Sequence, residues 1–184
     1  MTAPYTLAVH GGAGTIARGQ TDVAPYHAGL RAALAAGEAV LAQGGSALDA
    51  VVAAVRALED EPLFNAGRGS VYTSAAQHEM DAAVMNGSTL SAGAVAGVRT
   101  LRNPVQLART VMDSNFVLLS GDGAEQFARD HGFEAMPPGY FHTDHRLAQL
   151  HQLQNEASVS MQMDHAAPLD ETRKFGTVGA VALD

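Results

Sequence analysis

Two alanine-rich helical segments joined by a glycine pair limit the possible folds of this chain. The first, residues 24–43, has an apolar face, a candidate N-cap in Asp22 and a Gly-Gly stop. The second, residues 46–60, opens with the capping-box pattern Ser46-Ala-Leu-Asp49 and is stopped by Pro62. Because small side chains let helix backbones approach closely, we expect an antiparallel pair that covers one face of a sheet.

The rest of the chain alternates short strands with helices, which predicts a mixed α/β class. Strands are indicated at five apolar runs, residues 5–9, 71–73, 79–85, 91–98 and 116–120. Asn86-Gly87 indicates a hairpin, so this part predicts an antiparallel meander whose small-residue strand 91–98 can lie flat under a helix. Helices are indicated at residues 104–114, 124–131 and 143–153. Weak periodicity over residues 155–174 indicates a mobile linker.

Composition bounds the class of protein. The 184 residues are 47% hydrophobic and 16% charged, which suits one folded domain with a core. The formal net charge of −8 argues against a nucleic-acid or anionic membrane partner. The absence of cysteine excludes disulfides and thiolate metal sites. Without a secretory signal, or an apolar run of the ~18–20 residues that a membrane helix needs, a soluble cytoplasmic protein is expected.

The stretch from Phe175 to Asp184 predicts a buried strand and also contains a candidate nucleophile. A threonine hydroxyl is a weak nucleophile that needs an adjacent base. If the Gly176–Thr177 bond is cut, the freed α-amine of Thr177, with an ordinary pKa of ~7.7–8.0, can serve as base for its own Oγ1. Before cleavage that nitrogen is an amide, so the precursor would be inactive. Gly176 suits a strained peptide because glycine reaches conformations that other residues resist.

Two further patterns are weaker evidence for a functional site. His142 and His145, with His151 nearby, lack a His-Glu-x-x-His context, so surface histidines are favoured over a metal site. Gly12-x-Gly14-x-x-Ala17 after a strand imitates a dinucleotide fingerprint. No helix opens where the phosphates would need its N-terminus, so the pattern favours a tight glycine turn that brings backbone close to another segment.

Polar residues in the middle of the chain have two interpretations each. Glu79 and Asp81 share one strand face, where a solvated edge or a bond to a loop is favoured over an acid/base pair. Asn65 lies in a glycine-flanked loop, and its amide can donate to one group and accept from another. The backbone carbonyls of residues 58–68 can gather around a hard cation, or the loop is a plain turn.

Seven stretches, taken in order, resemble plant-type (isoaspartyl-peptidase type) L-asparaginases of the Ntn-hydrolase superfamily, nearly end to end. They are His10-Gly-Gly-Ala-Gly14, Pro62-Leu-Phe-Asn-Ala-Gly67, Asp81-Ala-Ala-Val-Met-Asn-Gly87, Ala92-Gly-Ala-Val-Ala-Gly97, Leu101-Arg-Asn-Pro104, Gly121-Asp-Gly-Ala-Glu125 and Gly176-Thr-Val-Gly-Ala-Val-Ala-Leu-Asp184. No single stretch is decisive, but the ordered set is specific.

This resemblance implies a four-layer αββα sandwich and self-cleavage between Gly176 and Thr177. Residues 1–176 would be the α subunit and residues 177–184 the start of the β subunit. Thr177 would be the nucleophile, its freed amine the base, and L-asparagine or a β-aspartyl (isoaspartyl) dipeptide the substrate. The resemblance implies an assembly of two αβ heterodimers and no cofactor for catalysis.

The resemblance also implies roles for the loop before the strands. Asn65 matches an asparagine near the nucleophile. The loop matches one that binds a structural sodium ion through main-chain carbonyls, here those of Leu58, Glu59, Glu61, Phe64, Ala66 and Arg68. That ion would fix the loop beside the site.

The chain departs from the family pattern by stopping at Asp184. The oxyanion-hole residues and the residues that clamp the substrate's α-carboxylate and α-amine belong to the following part of the β subunit, so the fold is expected to be incomplete and this chain alone inactive. Glycosylasparaginases are a near alternative, but they have an aspartate where this chain has Gly176. A catalytically inactive fragment or scaffold that needs a β-like partner, and a nucleotide-binding α/β domain, are the alternatives from other classes.

Overall fold

The computed structural model describes residues 4–12, 22–159 and 176–184, with the backbone alone for 156–159. Five strands and five helices of this part follow one another along the chain. They are β1 (Thr6–His10), α1 (Ala24–Ala42), α2 (Ala47–Asp60), β2 (Met80–Met85), β3 (Ala92–Val98), α3 (Pro104–Met112), β4 (Leu118–Ser120), α4 (Gly121–Asp130), α5 (Asp144–Val159) and β5 (Gly179–Leu183). The class is the mixed α/β class that the sequence predicts.

The strands form two separate sheets. β1 pairs antiparallel with β5, so that the two ends of the described chain lie side by side with His10 opposite Gly179. The second sheet has the order β2-β3-β4. Its β2–β3 pair is antiparallel, but β3 and β4 are parallel, because α3 carries the chain back across the sheet between them. The predicted antiparallel pairing of residues 79–85 with residues 91–98 is confirmed, and β4, for which no pairing was predicted, adds to the sheet in parallel.

Helices α1 and α2 form the predicted pair with small residues on the packing side. The buried positions are Gly29, Ala33, Gly37 and Leu41 on α1, and Ala50, Ala54, Leu58 and Glu59 on α2. The Ser46 hydroxyl accepts a bond from the backbone N–H of Asp49 at 3.1 Å, which confirms the predicted cap. Asp22 accepts from Ala24 N–H at 2.9 Å, but Val23 occupies the cap position of α1.

The larger core lies between the second sheet and helices α3 and α4. Val95, Val98, Leu107, Val111 and Phe141 are fully or almost fully buried in it. Gly93 shows how close the helix lies, because a Cβ there would be 2.2 Å from the carbonyl oxygen of Ala108. The small-residue strand does lie flat under a helix.

Several boundaries differ from the sequence prediction for local reasons. The predicted strand at residues 71–73 is reduced to one bridge between Tyr72 and His78. The β2–β3 connection spans residues 86–91, because the Asn86 side chain accepts from Ser88 N–H at 2.9 Å and organises a wider turn. Helix α4 begins at Gly121, three residues early.

Helix α5 continues through Val159, so residues 155–159 belong to a helix where a linker was predicted. The rest of that predicted linker, and Gly14 and Ala17 of the dinucleotide-like pattern, lie outside the described residues. Within the described residues, none of the helices has the length and apolarity of a membrane span.

Candidate active site at Gly176–Thr177

The pairing of β1 with β5 carries Thr177 to the glycine turn that follows β1. Gly12 has φ +110°, a conformation that favours glycine, and a Cβ at this position would lie 2.8 Å from the carbonyl oxygen of Thr177. The same Cβ would be 3.0 Å from Gly176 Cα. The backbone of the turn therefore abuts the Gly176–Thr177 peptide, which is the close approach that the sequence predicts for this glycine turn.

Asn65 contacts the carbonyl of the residue before Thr177. Its Nδ2 donates to the Gly176 carbonyl oxygen at 2.6 Å, and its Oδ1 accepts from the backbone N–H of Val71 at 2.9 Å. Because Val71 N–H can only donate, the amide oxygen must face it and the NH₂ group must face Gly176. An N–H aimed at this oxygen can stabilise negative charge that develops there when the carbonyl carbon is attacked.

Thr177 is exposed and lines a cleft of about 920 Å³ that Asn65, Ser70 and Glu59 also line. Glu79 and Asp81 reach the same cleft, but each has a partner. Glu79 pairs with Arg99 at 2.9 Å, and Asp81 accepts from Gly97 N–H at 2.8 Å. Both carboxylates are exposed, as predicted for a solvated edge, and Asp81 bonds to strand β3 where a loop was the predicted partner.

Glu59 is a buried carboxyl that the sequence analysis considered only for its main-chain carbonyl. Its side chain is buried at the end of α2, where its Oε1 accepts from Val105 N–H at 3.0 Å. Burial raises the pKa of Glu59 to about 8, because the carboxylate loses water, so most of the group is protonated at neutral pH. Little in the sequence indicates that the Glu59 side chain is buried, because a Glu-Asp pair at the end of a helix is usually exposed.

Ser70 and His78 form a second contact that the sequence analysis missed. Ser70 Oγ lies 3.2 Å from His78 Nδ1, and the Tyr72 ring contacts the His78 ring with ring centres 4.0 Å apart and planes tilted by 40°. Burial lowers the pKa of His78, which keeps its ring neutral near pH 7. This cluster anchors the chain just after the Asn65 loop.

The loop from Leu58 to Arg68 curls tightly on its own carbonyl groups. A Cβ on Gly67 would lie 2.3 Å from the Glu59 carbonyl oxygen, and one on Gly69 would lie 2.1 Å from that of Phe64. Four of the six predicted sodium ligands already accept one backbone N–H each, from donors at 3.0–3.3 Å; these are the carbonyls of Leu58, Glu61, Phe64 and Ala66. A carbonyl oxygen has two lone pairs, so each of these four keeps one lone pair for a further partner.

Among the described residues, His142, His145 and His151 are not part of a metal centre. His142 contacts Tyr72 Oη at 2.7 Å and Asp144 at 3.3 Å. In residues 4–12, 22–159 and 176–184 there is no group of three or more histidine or carboxylate side chains that could hold a metal ion. The side chains of His142, His145 and His151 are exposed, which agrees with the prediction of surface histidines.

Comparison with known proteins identifies the family. The family model described as asparaginase matches residues 3–184. The chain is 51% identical over 183 residues to the isoaspartyl peptidase of Escherichia coli (strain K12), covering 97% of this chain and 56% of that protein. It is 47% identical over 185 residues to the plant-type L-asparaginase of Thermococcus kodakarensis, covering 97% and 59%. With the isoaspartyl peptidase/L-asparaginase of Danio rerio it is 44% identical over 181 residues, covering 97% and 55%.

The chain thus spans little more than half the length of these relatives. The family match nevertheless extends over almost all of the chain itself. The matched residues include both the loop that carries Asn65 and the Gly176–Thr177 peptide to which Asn65 is hydrogen-bonded. The chain belongs to the asparaginase family.

Proposed function

We propose that this chain belongs to an amidohydrolase that cuts itself between Gly176 and Thr177 and then hydrolyses L-asparagine or β-aspartyl (isoaspartyl) dipeptides. The single observation that carries the proposal is the 2.6 Å bond from Asn65 Nδ2 to the Gly176 carbonyl oxygen, beside an exposed threonine. The names of the bacterial, archaeal and fish relatives support the substrate class.

The hydrogen bond from Asn65 to the Gly176 carbonyl supports the following cleavage step. Thr177 Oγ1 attacks the Gly176 carbonyl carbon, and its proton passes to the amide nitrogen. The negative charge on the carbonyl oxygen is stabilised by the Asn65 N–H. The C–N bond then breaks, which leaves an ester between Gly176 and Thr177 Oγ1 and a free α-amine on Thr177. One water hydrolyses the ester to the Gly176 carboxylate and the Thr177 hydroxyl.

Turnover would use the group that cleavage creates. The Thr177 α-amine takes the proton of Oγ1, which attacks the side-chain amide carbon of the substrate. The amine of the leaving group accepts a proton and departs as ammonia or an amino acid. Water then hydrolyses the β-aspartyl ester and restores Thr177.

The finer architecture and the partners are part of the same proposal. The two sheets and their covering helices suit a four-layer αββα sandwich whose remaining strands come from the β subunit, with two αβ heterodimers in the assembly. The carbonyls of Leu58, Glu59, Glu61, Phe64, Ala66 and Arg68 would hold a sodium ion. Its contribution would be structural, because it would stiffen the loop that carries Asn65.

Intact mass of the full-length protein under denaturing conditions, followed with time, tests the proposal. Wild type should split into two masses that meet at Gly176–Thr177, whereas Thr177→Ala should keep one mass and release no ammonia from L-asparagine. Thr177→Ser, which keeps a hydroxyl, is the matched control and should still cut. A single uncut wild-type mass without ammonia release would contradict the proposal and favour an inactive scaffold of the same fold.

A further inference from the structure

Arg146 on α5 makes a contact that the chemistry above does not use. Its Nε donates to the backbone carbonyl of Gly69 at 2.7 Å, and its NH1 donates to Gln149 Oε1 at 3.1 Å. The side chain is partly buried, and burial lowers the pKa of its guanidinium, although an arginine remains charged at neutral pH. Among the described residues, none of the four ion pairs includes Arg146.

Among the described residues, the side chain of Arg146 has only neutral hydrogen-bond acceptors, and these replace the water that its charge loses on burial. Such an arrangement is unfavourable unless the hydrogen bonds it makes are well formed. A charged donor on a carbonyl makes a stronger and more directional bond than a neutral donor does. The Gly69 carbonyl is therefore held more firmly than an ordinary loop carbonyl.

Gly69 lies two residues before Val71, whose backbone N–H orients the Asn65 amide. The turn Gly67–Gly69 is closed by Gly69 N–H on the Ala66 carbonyl at 3.0 Å. Val71 N–H then donates to Asn65 Oδ1 at 2.9 Å, and Asn65 Nδ2 donates to the Gly176 carbonyl at 2.6 Å. Arg146 is therefore linked to the Gly176–Thr177 peptide through its hydrogen bond to Gly69, the backbone from Gly69 to Val71, and the two hydrogen bonds of Asn65.

The orientation of an asparagine amide depends on such anchors. Rotation about its last side-chain bond is broad, so the partners decide which end faces which group. If Val71 N–H moves away, the Asn65 amide can turn and present its oxygen to the Gly176 carbonyl oxygen. The Asn65 amide oxygen would then repel the Gly176 carbonyl oxygen, which in the present orientation accepts a hydrogen bond from Asn65 Nδ2.

We propose that Arg146 is a positioning residue for cleavage at Gly176–Thr177, because it clamps the Gly69–Val71 segment that fixes the donating end of the Asn65 amide. This inference rests on the proposed self-cleavage. Through Gly69, Val71 and Asn65, a residue of α5 would thus help to position the Gly176–Thr177 peptide for cleavage. Arg146 touches neither the attacked carbonyl nor Thr177 in this assignment.

The first experiment measures the rate constant of cleavage in the full-length protein by intact mass. Arg146→Ala should slow cleavage by about tenfold to a hundredfold, the range expected for losing a charge-assisted hydrogen bond. Arg146→Lys, which can still donate to Gly69, should retain much of the rate. Arg129→Ala, which removes an exposed arginine on α4, is the control and should cut within about twofold of wild type.

A rescue experiment separates positioning from general destabilisation. Millimolar guanidinium should restore part of the cleavage rate of Arg146→Ala, and potassium chloride at the same concentration should not. Thermal unfolding of the same variants, made in the Thr177→Ala background, shows whether stability and rate change together. Positioning predicts a loss of rate that is larger than the loss of stability explains.

Two outcomes would overturn this inference alone, and a third would overturn the proposed function as well. Cleavage of Arg146→Ala at the wild-type rate overturns the inference and leaves the proposed function standing. Slow cleavage that neither lysine nor guanidinium relieves, with a matching loss of stability, also overturns it, because the role is then structural. If wild type itself does not cut, the proposed function fails first, and this inference fails with it.

Discussion

Asn65 illustrates the residue scale, because one side chain holds two different partners with its two ends. The oxygen is occupied by Val71 N–H and the nitrogen by the Gly176 carbonyl. A leucine, which has the same branching but no polar atoms, would leave both backbone groups without this partner. The chemistry of the amide, more than its shape, makes this position a candidate for function.

Substituting Asn65 should separate donation from packing. Asn65→Ala removes the donor to Gly176 and should slow cleavage by roughly 10²–10³-fold, as for the loss of one oxyanion donor. Asn65→Asp keeps an acceptor for Val71 N–H but presents a carboxylate oxygen to the Gly176 carbonyl, so it should cut no faster than Asn65→Ala. The measurement is again intact mass against time, and an aspartate variant that cuts at the wild-type rate would refute a donating role.

Gly12 is the second position where a single residue decides the local geometry. Gly12→Ala should lower the free energy of unfolding by about 1–3 kcal/mol, because φ +110° is unfavourable for alanine and the new Cβ would meet Thr177 O at 2.8 Å. Urea unfolding in the Thr177→Ala background measures this without interference from cleavage. Gly139→Ala, where no atom lies within 4 Å of a new Cβ, is the control and should change stability little.

At the scale of elements, Glu125 joins α4 to the segment that follows β3. Its Oε1 accepts from the backbone N–H groups of Arg99 at 2.6 Å and Thr100 at 2.9 Å, and its Oε2 accepts from the Thr100 hydroxyl. Burial alone would raise the pKa of this carboxyl. The hydrogen bonds from Thr100 and Arg99 outweigh burial and lower its pKa below the ordinary value of 4.5.

This lowered pKa predicts the sign of a pH dependence. The carboxylate stabilises the fold above its ordinary pKa, and that contribution is lost as pH falls through the lower pKa of the folded state. Glu125→Gln should therefore lower the free energy of unfolding by about 1–3 kcal/mol at neutral pH, with a smaller difference at about pH 3. Urea unfolding at both pH values measures it; exposed Glu134→Gln is the control. A difference that grows on acidification would contradict the assignment.

The helix pair shows what local pattern can predict about elements. The bounds of α2 and its Ser46 cap follow from residues within one turn of each other, and both are as predicted. The strand at residues 71–73 is different. Asn65 Oδ1 takes Val71 N–H, so this N–H is unavailable to a sheet, and only the Tyr72–His78 bridge remains. A bond between positions 65 and 71 is invisible to periodicity.

At the scale of the whole molecule, the β1–β5 pair joins segments on opposite sides of Thr177. Five residue pairs, from Thr6–Leu183 to His10–Gly179, hold them together. Asp184 Oδ2 also accepts from Ala47 N–H at 2.7 Å at the start of α2. These contacts do not depend on the Gly176–Thr177 bond.

Cleavage should therefore leave the two pieces associated. We expect cut full-length protein to elute as one species in native size-exclusion chromatography, at the volume of uncut Thr177→Ala, and to separate only under denaturing conditions. The physical reason is that the paired strands and packed helices remain when one peptide bond is lost. Separation of the pieces under native conditions would contradict the β1–β5 pairing as a lasting contact.

Local sequence patterns were enough to predict the helix pair, the strand-rich middle, the candidate nucleophile and the glycine turn that approaches another segment. These features follow from periodicity, capping and glycine chemistry, which act between near neighbours. The three-dimensional arrangement was needed to show that Gly12 and Asn65 both contact Gly176, that β3 and β4 are parallel, and that Arg146 reaches Gly69. Such contacts join residues far apart in the chain, and they depend on how strands pair and helices pack, which no local pattern records.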